Sequence, residues 1–478
     1  MKRISRNFIA LFISDAAGRI LGFIAIVYVA RLLAAEGFGL VSYGMAFLTY
    51  ALLLGNPGLT TIGAREIAKD HTNQRVSEEI LGLRLSLACL IFILFIVGLF
   101  VIPGQPATKK VILVFLLSLF PFALLLEFVF QGREEMGYIG ASRVIQYGIY
   151  VMLLFILVKG RHDILMIPLS FFIGYSAAVV FLIVIFLKTY RSIKLRFSWN
   201  AWRNLLIISI PVGLATIFNQ LFLNLPPLVL GIVHTKTEVG YFSAGFKVVT
   251  MLLIIERVFH YVFFPIIAKQ YVTTPERLSK SFTFLTRLLF AITIPLAFGG
   301  IVLATPIIYF IFGADYGGAI SLFRILLLYF AITPINTIFG YGLVAMNQER
   351  RFFKVISITA FVNLILIVIL GVNFKGAGAA AALFVSEMMS IMLMNRELRR
   401  FVVFESMKYL IKPILASCVM SLVLYILQVW HIIILVVIGM LIYTLVFYVI
   451  KGFSREELTH LKVTLKGKKG EGSALQSP

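Results

Sequence analysis

Apolar windows of about 18 to 28 residues recur along the whole chain, and each is long enough to carry a helix across a bilayer. They fall near 8–32, 38–60, 80–102, 111–131, 139–158, 164–187, 204–233, 239–267, 283–312, 318–346, 352–371, 376–394, 409–428 and 431–450. Hydrocarbon admits only helices or closed barrels, because every backbone N–H and C=O must find a partner there. The windows therefore predict an all-α polytopic membrane protein with about 14 transmembrane helices. Composition agrees: 60% of the 478 residues are hydrophobic and only 13% charged, against about a quarter charged in soluble domains. The first window is too long for the core of a cleaved signal peptide and no small-residue cleavage site closes it, so it is expected to be the first mature span.

A formal net charge of +22 raises the question of nucleic acid. Position answers it. Of the 43 Lys and Arg, 32 fall in the segments that alternate with the N-terminus, and seven (Arg31, Lys109, Lys110, Lys159, Arg161, Lys236, Lys375) fall in the others; Arg19, Lys247, Arg257 and Arg324 lie inside spans. Such a bias sets topology, with both termini inside. It excludes nucleic acid as the partner and favours membrane lipids. Cys89 and Cys418 both fall in apolar windows and are expected as buried free thiols. The six histidines show no metal-ligand spacing, so neither metal nor cofactor is expected.

The sequence also repeats. EGFGLVSYGM (36–45) resembles TEVGYFSAGF (237–246): Gly39, Ser42 and Gly44 match Gly240, Ser243 and Gly245 at an offset of 201. IAK recurs at 67–69 and 267–269, and Arg6–Asn7 resembles Arg203–Asn204. The offset spans six windows, an even number, so both halves run the same way, related by an axis along the membrane normal. The expected division is a six-helix bundle over 1–190, a second over 191–400, two additional helices within 401–450, and a basic cytoplasmic tail, 451–478. Two-bundle transporters place substrate between the bundles near mid-depth. Connecting loops are short, with no Walker pattern and no external loop able to house a catalytic site. A transporter is expected rather than an enzyme.

Charges at membrane depth are costly and are functional candidates. Asp15 and Arg19 lie four apart in FISDAAGRILGF (12–23). Asp15 falls about 12 Å into the first span and Arg19 near mid-depth, at 1.5 Å per residue. Gly18 and Gly22 share their arc and let a helix or ligand approach. The pair reads either as a structural ion pair or as a cavity-facing cation tuned by Asp15. The seventh window, PVGLATIFNQLFLNLPPLVLG, gathers Thr216, Asn219, Gln220 and Asn224 within about 140°. Pro211, Pro226 and Pro227 remove backbone donors and mark a hinge. Its amides suit either interhelical hydrogen bonds or a polyol ligand. Lys247, on a face with Ser243 and Thr250, reads as a cavity cation. Glu256, Arg257 and His260 read either as a structural or gating ion network or as ligand contacts, and Arg324 reads as snorkelling or substrate-facing. Arg31 reads as an interfacial anchor. Glu127 and Glu387 are expected to pair with basic neighbours. The surplus of deep cations suits an anionic substrate.

The stretch ARLLAAEGFGLVSYGMAFLTYALLLGNPGLTTIGAREIAKD (30–70), through Arg31, Gly37, Gly39, Gly58, Leu59, Arg65 and Glu66, resembles the polysaccharide-transporter family of lipid-linked oligosaccharide flippases; VGYFSAGFKVV (239–249) and FFPIIAK (263–269) resemble its second-half equivalents. The resemblance implies the two-bundle fold shared with multidrug extruders and the lipid II flippase. It implies inner-to-outer transfer of a prenyl-pyrophosphate-linked oligosaccharide, for surface polysaccharide (O-antigen, capsule or exopolysaccharide) or glycoprotein assembly, in the cytoplasmic (inner) membrane. Cavity arginines and lysines of such relatives hold the pyrophosphate, which here places Arg19 and Lys247 in that role; no full cavity-arginine set like that of the lipid II flippase is present. The expected partners are a lipid-linked oligosaccharide and membrane lipids. A glycan polymerase or glycosyltransferases, and H+ or Na+ as coupling ion, are further candidates. The rivals are a cation-coupled multidrug exporter of the same fold and a membrane glycan polymerase or ligase.

Overall fold

The computed structural model describes residues 2–71, 74–101, 104–190, 194–404 and 409–452; the tail beyond them, and the side chains of Asp15, Asn219, Arg257 and His260, lie outside the described residues. Every regular element is a helix: α1 Lys2–Gly55, α2 Leu59–Lys69, α3 Gln74–Val101, α4 Pro106–Leu116, α5 Leu119–Ala123, α6 Glu127–Gly132, α7 Met136–Leu157, α8 Met166–Tyr190, α9 Trp199–Val233, α10 Lys236–Leu252, α11 Ile254–Thr273, α12 Glu276–Val302, α13 Ala304–Phe312, α14 Ala319–Ala345, α15 Glu349–Leu398, α16 Ile411–Ile426 and α17 Ile432–Val449. The all-helical membrane fold expected from the windows is borne out. Ten stretches among the described residues are long and apolar enough to cross a membrane. Two of them are each interrupted by a backbone reversal, at Ala34 (φ 53°) in α1 and at Lys375 (φ 55°) in α15.

The chain forms two compact units. The first holds the N-terminal part to Leu252 with Ile308–Tyr329 and Phe353–Ser390; the second holds Leu253–Ile307, Phe330–Phe352 and the chain from Ile391. Lipid tails are as apolar as leucine, so cohesion inside each unit comes from close packing and internal hydrogen bonds. In the first unit Leu59, Ile80, Phe128, Phe130, Leu182 and Phe186 form one buried cluster.

A broken segment explains a buried charge in that unit. Between α5 and α6 the helix is interrupted, and carbonyls freed at membrane depth need donors. Arg84, 2% exposed, donates to Leu125 O at 2.9 Å and Phe122 O at 2.5 Å. Its guanidinium also lies over the rings of Phe122 and Phe128, at 5.1 and 5.7 Å. It had been grouped with the inside loops; the structure buries it. The linker into α9 is strapped to α3 as well. Arg196 Nε donates to Glu78 Oε2 at 2.7 Å, and Trp202 Nε1 to Glu79 O at 3.1 Å.

In the second unit α16 and α17 pack on α12 through Leu303, Met420, Leu424 and Leu435. Tyr443 donates to Ala291 O at 2.8 Å. The carbonyls just past the end of α17 are held by cations: Lys412 Nζ reaches Lys451 O at 2.9 Å and Arg287 Nε reaches Gly452 O at 3.1 Å. Cys89 and Cys418 are free thiols but exposed ones. An apolar window does not say which face of its helix meets lipid, and both cysteines lie on the outward face.

Candidate functional site

The first wall is α1 packed on α7. A Cβ at Gly18 would lie 3.1 Å from Tyr147, and one at Gly22 would lie 3.5 Å from the same ring. The Gly18–Gly22 step therefore admits an aromatic side chain of a neighbouring helix. Arg19, adjacent on α1, is half-buried and engaged by the surrounding structure. One turn before Tyr147, Arg143 makes a forked pair with Glu127, at 3.0 and 3.2 Å. Glu127 thus finds the basic partner expected for it. Gln146 bonds Tyr175, and the charge of Glu127 also acts on Arg84. Glu127 is paired with Arg143, while Arg84 is held by the backbone carbonyls of Phe122 and Leu125. The charge count places both arginines with the inside segments, although each lies within an apolar window, 80–102 and 139–158.

The second wall is α9, one uninterrupted helix with Pro211, Pro226 and Pro227 inside it. Asn224 Nδ2 donates to Gln220 Oε1 at 3.0 Å and Gln220 O at 3.2 Å, so these two amides are brought together. Thr216 is exposed and bonds Val212 O at 3.0 Å. On α10, Lys247 is exposed while Ser243, a turn earlier on the same helix, is buried. Thr250 Oγ1 donates to Lys247 O at 3.0 Å. Arg324 is exposed on α14 and engaged, as are half-buried Glu256 and buried Glu387.

One end of the first unit is closed by contacts between chain segments far apart in sequence. A Cβ on Gly39 would lie 1.6 Å from Lys236 O, and one on Gly240 would lie 1.9 Å from Ala35 O. Beside this crossing, Arg31 Nε donates to Ile311 O at 2.8 Å, and its Nη2 to Phe310 O. Arg31 thus caps the C-terminus of α13, where a cation is favoured. It is held by protein rather than acting as a free interfacial anchor. Tyr316, fully buried, donates to Ala30 O at 2.9 Å. Burial, with Asp315 nearby, pushes its phenol far above the ordinary range, so it stays a donor. Arg161 pairs with Asp315 and Lys375 with Glu238, each at 3.8 Å. Lys236 donates to Gly231 O at 2.5 Å and lies 3.7 Å over the Tyr43 ring.

Toward the end of α2, Glu66 bonds Lys69 and Arg65, each at 2.9 Å. The Lys69 hydrogen bond, with Arg65 beside it, holds the Glu66 carboxyl below the usual carboxylate range. Among the described residues no cluster of His, Cys, Asp or Glu gathers to hold a metal.

Apolar helices long enough to cross a membrane, carrying half-buried and exposed cations, define a polytopic membrane protein. The structure is similar to the lipid II flippase MurJ in its inward closed conformation, with a TM-score of 0.76 at 17% identity over 93% of this chain and 99% of that one. It is also similar to a multidrug resistance MATE family transporter of the MOP superfamily in its inward-facing conformation, with a TM-score of 0.63 at 14% identity over 80% and 95%. In sequence it is 24% identical over 409 residues to an Escherichia coli (strain K12) protein described as an O-antigen transporter, covering 82% of this chain and 96% of that one. It is 22% identical over 395 residues to the capsular polysaccharide biosynthesis protein CapF of Staphylococcus aureus, covering 81% and 97%. The family model for polysaccharide biosynthesis proteins matches residues 4–271. The chain belongs to that family, and the resemblance carried by residues 30–70 is borne out.

Proposed function

We propose that the protein is a flippase for a prenyl-pyrophosphate-linked oligosaccharide, moving it from the inner to the outer leaflet of the cytoplasmic membrane by alternating access across fourteen spans. The observation that carries this reading is Lys247. It is an exposed lysine inside an apolar helix. A lipid-facing charge at that depth would cost about 2.5–3.5 kcal/mol or more, so the economical arrangement is a watered cavity. A cavity presenting Lys247, with Arg19 and Arg324 as further cations, attracts a pyrophosphate. Gln220 and Asn224, with Asn219 beside them in sequence, supply amides suited to sugar hydroxyls. Asp15 tunes Arg19, through a proton or a coupling cation. The halves rock about the Gly39–Gly240 crossing, and α9 bends at Pro211, Pro226 and Pro227. The family and the names of its relatives support a role in O-antigen, capsule or related surface glycan assembly, beside glycosyltransferases or a polymerase, with no catalytic step of its own.

A cation-coupled drug exporter shares the fold. Surplus cation in the wall counts against cationic cargo. The test is reconstitution into vesicles with a lipid-linked oligosaccharide, scoring leaflet transfer. Arg19→Ala and Lys247→Ala are each expected to slow transfer at least tenfold, a loss of about 1.4 kcal/mol or more. Wild-type transfer in both variants would remove the pyrophosphate clamp.

A further inference from the structure

Seven basic residues lie in the segments opposite the N-terminus. Five are engaged within the protein: Arg31, Arg161, Lys236 and Lys375 as described, and Lys159, whose ammonium donates to Phe155 O at 2.6 Å. Lys109 and Lys110 are the other two. Among the described residues neither ammonium has a hydrogen-bond or ion-pair partner. They are the fourth and fifth residues of α4, whose start at Pro106 has no side-chain cap and no acidic residue in its first turn. That leaves both the amide end of the helix and two ammonium groups available to an anion.

Next to them is a cavity of about 360 Å³ between the last turns of α3 and the first turns of α4, floored by Leu165. That volume lies within the range of about 300–1,000 Å³ usual for small-molecule sites. Its lining is almost wholly hydrocarbon, including Leu99, Phe100, Leu113 and the methylene stems of the two lysines. Phe100 is 83% exposed at its mouth. An apolar slot with a dibasic rim at a helix terminus matches one ligand shape: an acyl chain joined to a phosphate.

We propose that this groove binds one anionic phospholipid, its acyl chain along Leu99 and Leu113 and its phosphate between Lys109 and Lys110. Basic pockets at the ends of membrane helices hold anionic head groups in this way. The site lies wholly within the first unit and does not depend on what the protein transports. Its occupant wedges α3 against α4 at the bilayer surface.

The full chain, purified in detergent and offered phosphatidylglycerol or phosphatidylcholine, is read by native mass spectrometry. One phosphatidylglycerol is expected to be retained in preference to phosphatidylcholine, by on the order of tenfold or more for two lysines. It is expected to raise the melting temperature, as any ligand of the folded state does. Lys109→Gln with Lys110→Gln should remove the preference. Leu113→Trp, which fills the slot and keeps both lysines, should remove retention. Equal retention of the two lipids would overturn the proposal. So would retention undiminished in Leu113→Trp, since the head group alone would then be bound, or displacement by excess inorganic phosphate.

Discussion

Gly39 and Gly240 meet reciprocally. Each presents its bare Cα to the other's helix, with Lys236 O against Gly39 and Ala35 O against Gly240. Both pairs, 39 with 240 and 35 with 236, are separated by the same 201 positions. A contact in which i meets j′ and j meets i′ is the signature of a two-fold relation, here between the segments 35–39 and 236–240 of the first unit. The repeat seen in the sequence is thus a physical junction: the equivalent helices cross at their matching glycines, close enough that no side chain fits.

Gly39→Ala or Gly240→Ala should force this junction apart. The added carbon would fall well inside van der Waals contact with a backbone carbonyl, which cannot swing away as a side chain can. Cysteine accessibility of positions flanking the crossing, measured in membranes, should rise in either variant. Gly98→Ala is the control, because a Cβ there meets nothing within 4 Å. Unchanged accessibility in both junction variants would contradict the reading.

Arg31→Gln should loosen the same end by another route. It removes a cation and its hydrogen bonds from the last carbonyls of α13, a loss of about 1.5–3 kcal/mol for charge-assisted bonds. A lower melting temperature together with raised accessibility around Tyr316 is expected. Lowered stability with no change in accessibility would make Arg31 a helix cap only.

Arg84→Met should be the more damaging change. It leaves Phe122 O and Leu125 O without donors where water cannot replace them, at about 1–3 kcal/mol each. Arg84→Lys should recover little, since one ammonium cannot fork to two carbonyls as a guanidinium does. Melting in detergent, compared across the three proteins, measures this; a Met variant as stable as wild type would show that the carbonyls find other donors.

Glu66 gives a pH signature. Its folded-state carboxyl is depressed, so the stability it adds is present above the unfolded carboxylate range and fades as pH falls through the lowered value. The group is largely solvated, and the effect is small. Glu66→Gln should abolish that part of the acid-side slope and leave stability above neutral pH only slightly changed. An identical slope in the variant would detach Glu66 from its lysine and arginine neighbours.

Helical class and the repeat were legible because hydrocarbon length and a shared glycine register are local properties of the sequence. What escaped depends on tertiary partners. Arg31 finds its acceptor 280 residues away, and Arg84 is explained only by the break between α5 and α6. Cys89 and Cys418 show a related loss: composition locates a residue along a helix, whereas neighbours decide which face is covered.

The central claim is that a cavity cation grips an anionic lipid-linked glycan. It is tested most directly by leaflet transfer in reconstituted vesicles with Lys247 changed in charge alone. Lys247→Gln should lose transfer while keeping its melting temperature, and Lys247→Arg should retain most of it. Equal transfer by the wild type and both variants would contradict the account.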